Sequence, residues 1–182
     1  MSKHIVMPVV ILVAICVIVG GLLAITNGLT ADKIAQNEIE KTAKLISELL
    51  PETDKVNQIE SENAQRYQCL DESGEEIGQV VVLSSKGYGG DISVMVGFTA
   101  DQTVAGIRIL SSNETPGLGQ KAGEPEFYGQ YADKKVKSFI VVKSKPDSDE
   151  EISAISGATI TSKAVTEAVN NAIAIISGED AA

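Results

Sequence analysis

The residues best suited to chemistry lie in two glycine-rich segments in the second half of the chain. The first segment, residues 112–121, reads SNETPGLGQK. Within it Pro116 fixes one backbone angle, whereas Gly117 and Gly119 permit positive φ angles and a close approach of the backbone to a ligand. The pattern fits either a loop against which a flat ligand lies or a rigid turn.

The second segment, residues 156–162, reads SGATITS and opens the last predicted helix. Ser156 is a favourable N-cap residue, and the residues after it present free backbone N–H groups at the positive end of the helix dipole. A helix start of this kind binds phosphate. Because the segment lacks both the GxxxxGK[ST] pattern of a Walker loop and the GxGxxG pattern of a dinucleotide site, a plain capped helix start is the alternative.

The composition excludes several classes of chemistry. The 182 residues include two cysteines, Cys16 and Cys69, and one histidine, His4, too few for a four-cysteine iron–sulfur site, a Cys/His zinc site or a catalytic triad in the globular part. A hydrolase with Ser156 or Thr159 as nucleophile would need a lysine or carboxylate base. The net charge of −10 opposes nucleic-acid binding. We predict no catalytic residue and no metal site, and assign any chemistry to a bound organic cofactor.

Residues 1–26 are predicted to be a transmembrane anchor. Residues 5–25 run for 21 positions without a charge, which is enough for a helix to cross a bilayer. A cleavable signal peptide is the alternative, but the run exceeds the usual apolar region of such peptides. Lys3 precedes the run, whereas Lys33, Lys41 and Lys44 follow it, so the charges alone do not determine the orientation.

Residues 27–65 are predicted to form a juxtamembrane helix and a linker. Thr30 is a favourable N-cap of this helix, and Pro51 ends the helical pattern. The helix would continue from the membrane. One stripe of it is expected to complete the core of the domain, and it consists of Ala35, Ile39, Thr42, Ile46 and Leu49. The alternative is a helix lying on lipid, which a polar face with as many acids as bases disfavours. Residues 52–65 are polar and lack periodicity, which indicates a linker or an irregular approach to the first strand.

Residues 66–182 are predicted to form one α+β domain with an antiparallel sheet. Period-two patterns predict a meander of four strands at residues 67–70, 77–84, 92–98 and 104–110, one more strand at residues 136–142, and one or two helical turns at residues 125–131. A C-terminal helix, ended by Gly178, closes the domain with a continuous apolar stripe of Ile160, Ala164, Val165, Ala168, Val169, Ala172, Ile173 and Ile176. We expect the helices to pack on one sheet face.

Three motifs in this order resemble one known family. The sequences GYGG at residues 87–90, ETPGLG at residues 114–119 and SGAT at residues 156–159 are similar to those in the FMN-binding domain of the RnfG and NqrC subunits of ion-pumping respiratory complexes. The likeness covers nearly the whole chain. The chain is short, which makes it more similar to RnfG than to NqrC, which is usually longer. The resemblance implies that an extracytoplasmic flavin transferase joins FMN through its phosphate to Thr159. The family usually has an acidic residue at the position of Ser153, and the transferase could instead recognise a nearby acid, namely Asp149, Glu150 or Glu151.

The resemblance also implies the function. It implies a membrane-anchored electron-carrier subunit that does not catalyse alone, in an Rnf-type complex coupling ferredoxin:NAD electron transfer to Na⁺ or H⁺ translocation. Its partners would be RnfA, RnfB, RnfC, RnfD and RnfE, with the N-terminus cytoplasmic and the FMN domain extracytoplasmic. The alternatives are an NqrC-like subunit of a sodium-pumping NADH:quinone oxidoreductase and a cofactor-free membrane-anchored binding domain.

The same resemblance implies which residues bind the cofactor. Leu118 and Tyr88 would contact the flavin ring together with glycine backbone, since the chain has no tryptophan. Lys121 would either favour the reduced, anionic flavin or stay solvated. The implied cofactor-binding residues, apart from Thr159, are Ser156, Gly157, Ala158, Glu114, Thr115, Gly117, Leu118, Gly119, Lys121 and Tyr88.

Overall fold

The computed structural model describes residues 3–59, 61 and 64–178. The chain divides into two units, Met1–Ala43 and Lys44–Ala182. Helix α1 covers Lys3–Leu49 without interruption. The predicted new helix start at Thr30 is therefore wrong, because residues 26–34 contain no proline that would force the helix to end there.

The described side chains of the first unit are exposed from residue 7 to residue 23, including large apolar ones such as Leu12 and Leu23. Judged on its described residues, the chain has no helix long and apolar enough to cross a membrane. The side chains at positions 5, 6, 8, 24 and 25 of the predicted span lie outside the described residues, as do those of Ala35 and Ile39.

The second unit is built on a five-stranded antiparallel sheet whose strands follow one another in chain order. Its strands are β1 (Lys55–Ile59), β2 (Gln65–Leu70), β3 (Glu76–Lys86), β4 (Asp91–Thr99) and β5 (Val104–Ser111). The four predicted strands of the meander are confirmed. Strand β1 lies in the predicted linker. It is an edge strand with largely exposed side chains, so it lacks the alternation that marks a half-buried strand.

Short elements follow β5. Helix α2 (Pro125–Tyr128) lies between two 3₁₀ turns, Gly119–Gly123 and Gly129–Tyr131, which confirms the predicted helical turns. Strands β6 (Ile140–Val142) and β7 (Glu151–Ser153) pair in parallel as a separate two-stranded sheet. The predicted strand at residues 136–142 is wrong over its first four residues, since β6 begins only at Ile140. Just before it, the side chain of Asn170, rather than a neighbouring strand, binds the N–H and carbonyl of Phe139.

Helix α3 covers Thr159–Ser177, and Gly178 ends it in the left-handed conformation with a φ of 76°, as predicted. Its stripe is buried from Ala164 to Ala172. Ile160 is 56% exposed, contrary to the predicted stripe, because its neighbour Thr161 is the residue that faces the interior at this end of the helix.

The two faces of the five-stranded sheet are covered by different helices, so the expectation that the helices pack on one face is wrong. Helix α3 packs on one face, where the main apolar core includes Val94, Ile107 and Val165. The other face receives Leu49 and other residues at the end of α1. An added Cβ at Gly97 would lie 3.1 Å from the Cβ atom of Leu49, so this glycine allows a close approach. The site described next lies at the beginning of α3.

Candidate functional site

Three distant segments of the chain meet at the side chain of Glu114, which is 3% exposed. The Oε1 atom of Glu114 accepts hydrogen bonds from the backbone N–H groups of Tyr88, at 2.8 Å, and Gly89, at 2.9 Å. The Oε2 atom accepts a hydrogen bond from the Thr161 hydroxyl at 2.7 Å. One carboxylate therefore joins the β3–β4 turn, the loop of residues 112–121 and the first turn of α3.

These hydrogen bonds favour the ionised form of Glu114. Burial raises the pKa of this carboxyl group. The hydrogen bonds from Gly89, Thr161 and Tyr88 together outweigh burial, so the pKa lies below its ordinary value. Neither of the ion pairs formed among the described residues involves Glu114. The site therefore holds a buried negative charge whose partners among the described residues are hydrogen-bond donors.

Three glycines allow the segments around Glu114 to approach one another. An added Cβ at Gly119 would overlap the Oε2 atom of Glu114 and lie 2.8 Å from the Oγ1 atom of Thr161. An added Cβ at Gly87 would overlap the Oε1 atom, and one at Gly89 would overlap the backbone of the 112–121 loop. Close packing within the protein thus accounts for glycine at position 119.

The loop of residues 112–121 is closed by its own backbone. The carbonyl of Thr115 accepts hydrogen bonds from the N–H groups of Leu118, at 3.2 Å, and Gln120, at 3.3 Å. Gly117 has a φ of 75°, and an added Cβ there would meet no atom of the described chain within 4 Å. Glycine is needed at position 117 for its backbone angle, as predicted, and the loop holds Leu118 partly exposed.

The prediction that Ser156 is the N-cap of α3 is wrong. A turn precedes the helix, in which the N–H of Ala158 donates to the carbonyl of Ile155 at 2.9 Å and Gly157 has a φ of 76°. This extra turn makes Ala158 the N-cap and leaves Ser156 exposed, two positions earlier. The hydroxyl of Ser162 fixes the turn, because it accepts from the N–H of Ile155 and donates to the carbonyl of Ala158, both at 3.0 Å.

The start of α3 has the groups that a bound phosphate requires. Ser162 is the first residue whose N–H donates within the helix, to the Ala158 carbonyl at 3.0 Å. The N–H groups of Thr159, Ile160 and Thr161 precede it and have no intrahelical acceptor. The N-cap residue, Ala158, makes no side-chain hydrogen bond to these N–H groups. Because Thr159 is also partly exposed, this helix start is open to a phosphate group.

Exposed apolar side chains lie at this helix start and on the two segments that Glu114 joins to it. Leu118 is 43% exposed, Ile160 is 56% exposed and Tyr88 is 73% exposed. An added Cβ at Gly157 would lie 3.0 Å from the Cδ2 atom of Leu118, so the 112–121 loop touches the turn before Thr159. Apolar groups around a polar anchor point suit a ligand with a flat ring and a phosphate.

A glutamine side chain fixes the backbone that leads into the turn before α3. The N–H of Ser153 donates to the Oε1 atom of Gln130 at 2.7 Å, and the Nε2 atom of Gln130 donates to the Ser153 carbonyl at 3.3 Å. Gln130 also lines a cavity of about 470 Å³, together with Lys121 and Ser156. The exposed Lys121 thus belongs to this cavity.

The structure brings most of the predicted site residues together. Glu114, Gly119 and Tyr88 meet directly, and Leu118 contacts the turn that contains Gly157. Sequence reasoning missed Thr161 as a partner of Glu114, and it missed Gln130. A hydroxyl three residues into a helix and a lone glutamine are too common to be recognised, but the sequence GYGG at residues 87–90 did mark the third segment.

The fold and the site define an FMN-binding domain. Residues 87–174 match the family model of the FMN-binding domain, and residues 1–49 match that of the RnfG N-terminal region. The crystal structure of NqrC from Shewanella oneidensis is 21% identical and has a TM-score of 0.52, covering 68% of this chain and 67% of its own. The C subunit of the Na⁺-translocating NADH-quinone reductase from Parabacteroides distasonis is 25% identical with a TM-score of 0.54, covering 65% and 64%.

Curated relatives identify the family. The G subunit of the proton-translocating ferredoxin:NAD(+) oxidoreductase complex of Clostridium ljungdahlii is 37% identical over 158 residues, which are 87% of this chain and 84% of that one. The G subunit of the Na(+)-translocating ferredoxin:NAD(+) oxidoreductase complex of Acetobacterium woodii is 32% identical, covering 91% and 88%. The chain belongs to the RnfG family, the G subunits of ion-translocating oxidoreductase complexes.

Proposed function

We propose that this chain is an electron-carrier subunit of an Rnf-type complex, in which ferredoxin:NAD electron transfer is coupled to translocation of Na⁺ or H⁺. The observation that carries the proposal is the convergence of three segments on Glu114 beside a helix start with free N–H donors. The G-subunit relatives, at up to 37% identity among those compared, support an Rnf-type assignment more strongly than the NqrC structures do. Its partners would be the other Rnf subunits.

The proposed cofactor is FMN, held covalently through its phosphate on the hydroxyl oxygen of Thr159. FMN would supply the capacity to accept and release electrons. The N–H groups at the start of α3 would bind the phosphate oxygens, and the positive end of the helix dipole would stabilise their charge by about 0.3 to 1 kcal/mol. Covalent attachment would let part of the ring stay exposed to an electron-transfer partner.

The chain's apolar groups would position the flavin ring. The exposed apolar surface at the site comes from Leu118, Ile160 and Tyr88. Gly117, directly before Leu118, adds backbone without a side chain. Ser156 and the exposed end of the preceding turn would remain accessible to a flavin transferase. Ser153 makes backbone hydrogen bonds to Gln130, so we expect the acids upstream of it to serve any recognition that needs a carboxylate.

We further propose that residues 5–25 cross the membrane once, with the N-terminus cytoplasmic and the FMN domain outside. The 21-residue uncharged run and the match of residues 1–49 to the RnfG N-terminal region support this arrangement. Protease added to right-side-out vesicles should remove most of the chain. Full protection of the chain in intact vesicles would contradict this topology.

The attachment site is tested by replacing Thr159 with alanine in the full chain, produced together with a flavin transferase. The variant should keep its fold and lose the fluorescent flavin band on a denaturing gel. Ser156→Ala is the matched control, because Ser156 is an exposed hydroxyl residue three positions away, and it should keep the band. A fluorescent Thr159→Ala chain would place the bond elsewhere, and a colourless native chain would favour a cofactor-free binding domain.

A further inference from the structure

The buried charge of Glu114 lies within one helical turn of the proposed attachment residue. Its Oε2 atom is 2.7 Å from the hydroxyl oxygen of Thr161, two residues after Thr159 in the same helix. The carboxylate is buried and takes no part in the ion pairs that the described residues form elsewhere. Both carboxylate oxygens accept hydrogen bonds from the protein, so Glu114 is placed to act on a ligand through charge and through its neighbours.

We propose that Glu114 is a positioning residue of the FMN site whose negative charge lowers the reduction potential of the attached flavin. The inference rests on the proposed function. The positioning role follows from the three hydrogen bonds, because they fix Tyr88, the 112–121 loop and the start of α3 relative to one another. The electrostatic role follows from burial, because a charge removed from water acts on its surroundings with little screening.

The sign of the electrostatic effect is set by the charge. Reduction to an anionic form of the flavin adds negative charge, and a nearby carboxylate disfavours that charge. Removal of the carboxylate charge should therefore favour reduction. The N–H donors of Tyr88 and Gly89 spread part of this charge but do not neutralise it.

Glutamine at this position separates charge from geometry. In Glu114→Gln the amide oxygen can accept from the N–H groups of Tyr88 and Gly89, and the amide nitrogen can donate to the hydroxyl of Thr161. The contacts are retained while the charge is lost. In Glu114→Ala both are lost, so the two N–H groups and the hydroxyl have no carboxylate to bind. Glu72→Gln is the matched control, since it removes one exposed negative charge from the β2–β3 turn.

The experiment measures flavin content by intact mass and the flavin reduction potential by redox titration of its absorbance, on full-length chains. Glu114→Gln should keep the flavin content of the native chain. At the native midpoint potential its ratio of reduced to oxidised flavin should rise roughly tenfold, which corresponds to about 30 mV for a two-electron couple. Glu72→Gln should change neither quantity.

Each remaining outcome overturns a stated part of the inference. A fully flavinylated Glu114→Gln chain with an unchanged reduction potential would overturn the electrostatic role. Loss of flavin from Glu114→Gln would overturn the claim that the hydrogen bonds of residue 114, without its charge, are enough for flavin attachment. Glu114→Ala should lose most of its flavin while glutamine restores it, whereas full content in the alanine variant would overturn the positioning role. If the native chain itself carries no flavin, the proposed function fails independently of these variants.

Discussion

Two kinds of side chain hold the backbone around α3, and they differ in charge and in reach. The carboxylate of Glu114 joins three segments at the beginning of the helix. The amides of Gln130 and Asn170 each bind one residue through both its N–H and its carbonyl, at Ser153 and Phe139 respectively. An amide can complete a strand edge because it offers both a donor and an acceptor, whereas an ionised carboxylate can only accept.

The difference shows where the domain uses charge. Strand edges next to β6 and β7 are satisfied by neutral amides, which leave no net charge behind. The helix start is approached by a buried anion, although the phosphate proposed for Thr159 is also an anion. Two negative groups near one helix start would be tolerated because the helix dipole favours both, and because they would use different donors: Tyr88, Gly89 and the Thr161 hydroxyl bind Glu114, whereas the free N–H groups of the helix would bind the phosphate. We call the Glu114 carboxylate with its three hydrogen bonds the charged link. A substitution at the charged link is therefore expected to reduce stability and flavin content more than a substitution of either amide.

The largest effect is expected from crowding the charged link with Gly119→Ala. The added Cβ would overlap the Glu114 carboxylate and lie 2.8 Å from the Oγ1 atom of Thr161, so the three segments would have to separate. The free energy of unfolding should fall by about 2 kcal/mol, and flavin content should fall with it. Denaturant unfolding and intact mass measure the two effects.

Gly123→Ala is the matched control for this crowding, because Gly123 lies in the same 3₁₀ turn and an added Cβ would meet nothing within 4 Å among the described residues. Its stability should stay within about 0.5 kcal/mol of the native chain, as is usual for a surface change. Equal losses in the two variants would mean that the turn, not the packing against Glu114, is sensitive.

A smaller effect is expected from removing a neutral amide. Gln130→Ala should cost about 1 kcal/mol of stability, since two hydrogen bonds to Ser153 are lost near an accessible cavity. Asn170→Ala removes the equivalent pair at Phe139 and should cost a similar amount. Only Gln130→Ala should also reduce flavin content, because only Ser153 leads directly into the turn before Thr159. Equal flavin content in both variants would remove Gln130 from the site.

The smallest effect is a difference in pH dependence. The pKa of Glu114 is lowered in the folded chain, so the carboxylate contributes stability above the pKa of about 4.3 of an unfolded glutamate and loses it as the pH falls through the folded value. The native chain should therefore lose more stability than Glu114→Gln on acidification. Other acids with lowered pKa, such as Asp71, are present in both chains and cancel. Parallel unfolding curves against pH would show that folding leaves the pKa of Glu114 unchanged, and would contradict the lowered value.

The sequence predicted the parts of the fold that repeat regularly. Strands β3 to β5 and helix α3 carry apolar patterns over seven or more residues, and β2 carries one over four. All of them lie where they were predicted, apart from the first turn of α3. Strands β6 and β7 have three residues each, too few for a period, and their pairing depends on contacts distant in the chain. The break predicted at Thr30 failed because a capping residue also fits inside a continuous helix when nothing else ends it.

The site was predictable as a set of motifs but not as a set of contacts. The turn of residues 87–90, the 112–121 loop and the helix start were identified from glycine and proline. The geometry that joins them depends on which side chain is buried, and burial of Glu114 has no local signature. Ser156 was misassigned as the N-cap because the φ of 76° at Gly157, which inserts an extra turn, is permitted by glycine but not dictated by it.

Covalent attachment of FMN is tested by the intact mass of the full native chain, followed by fragmentation to locate any added group. The chain should exceed the sequence mass by one FMN less one water, with the whole addition on Thr159. An addition on Thr161 would contradict it, because the hydroxyl of Thr161 already donates to Glu114. An unmodified native chain from cells that contain the flavin transferase would contradict it as well.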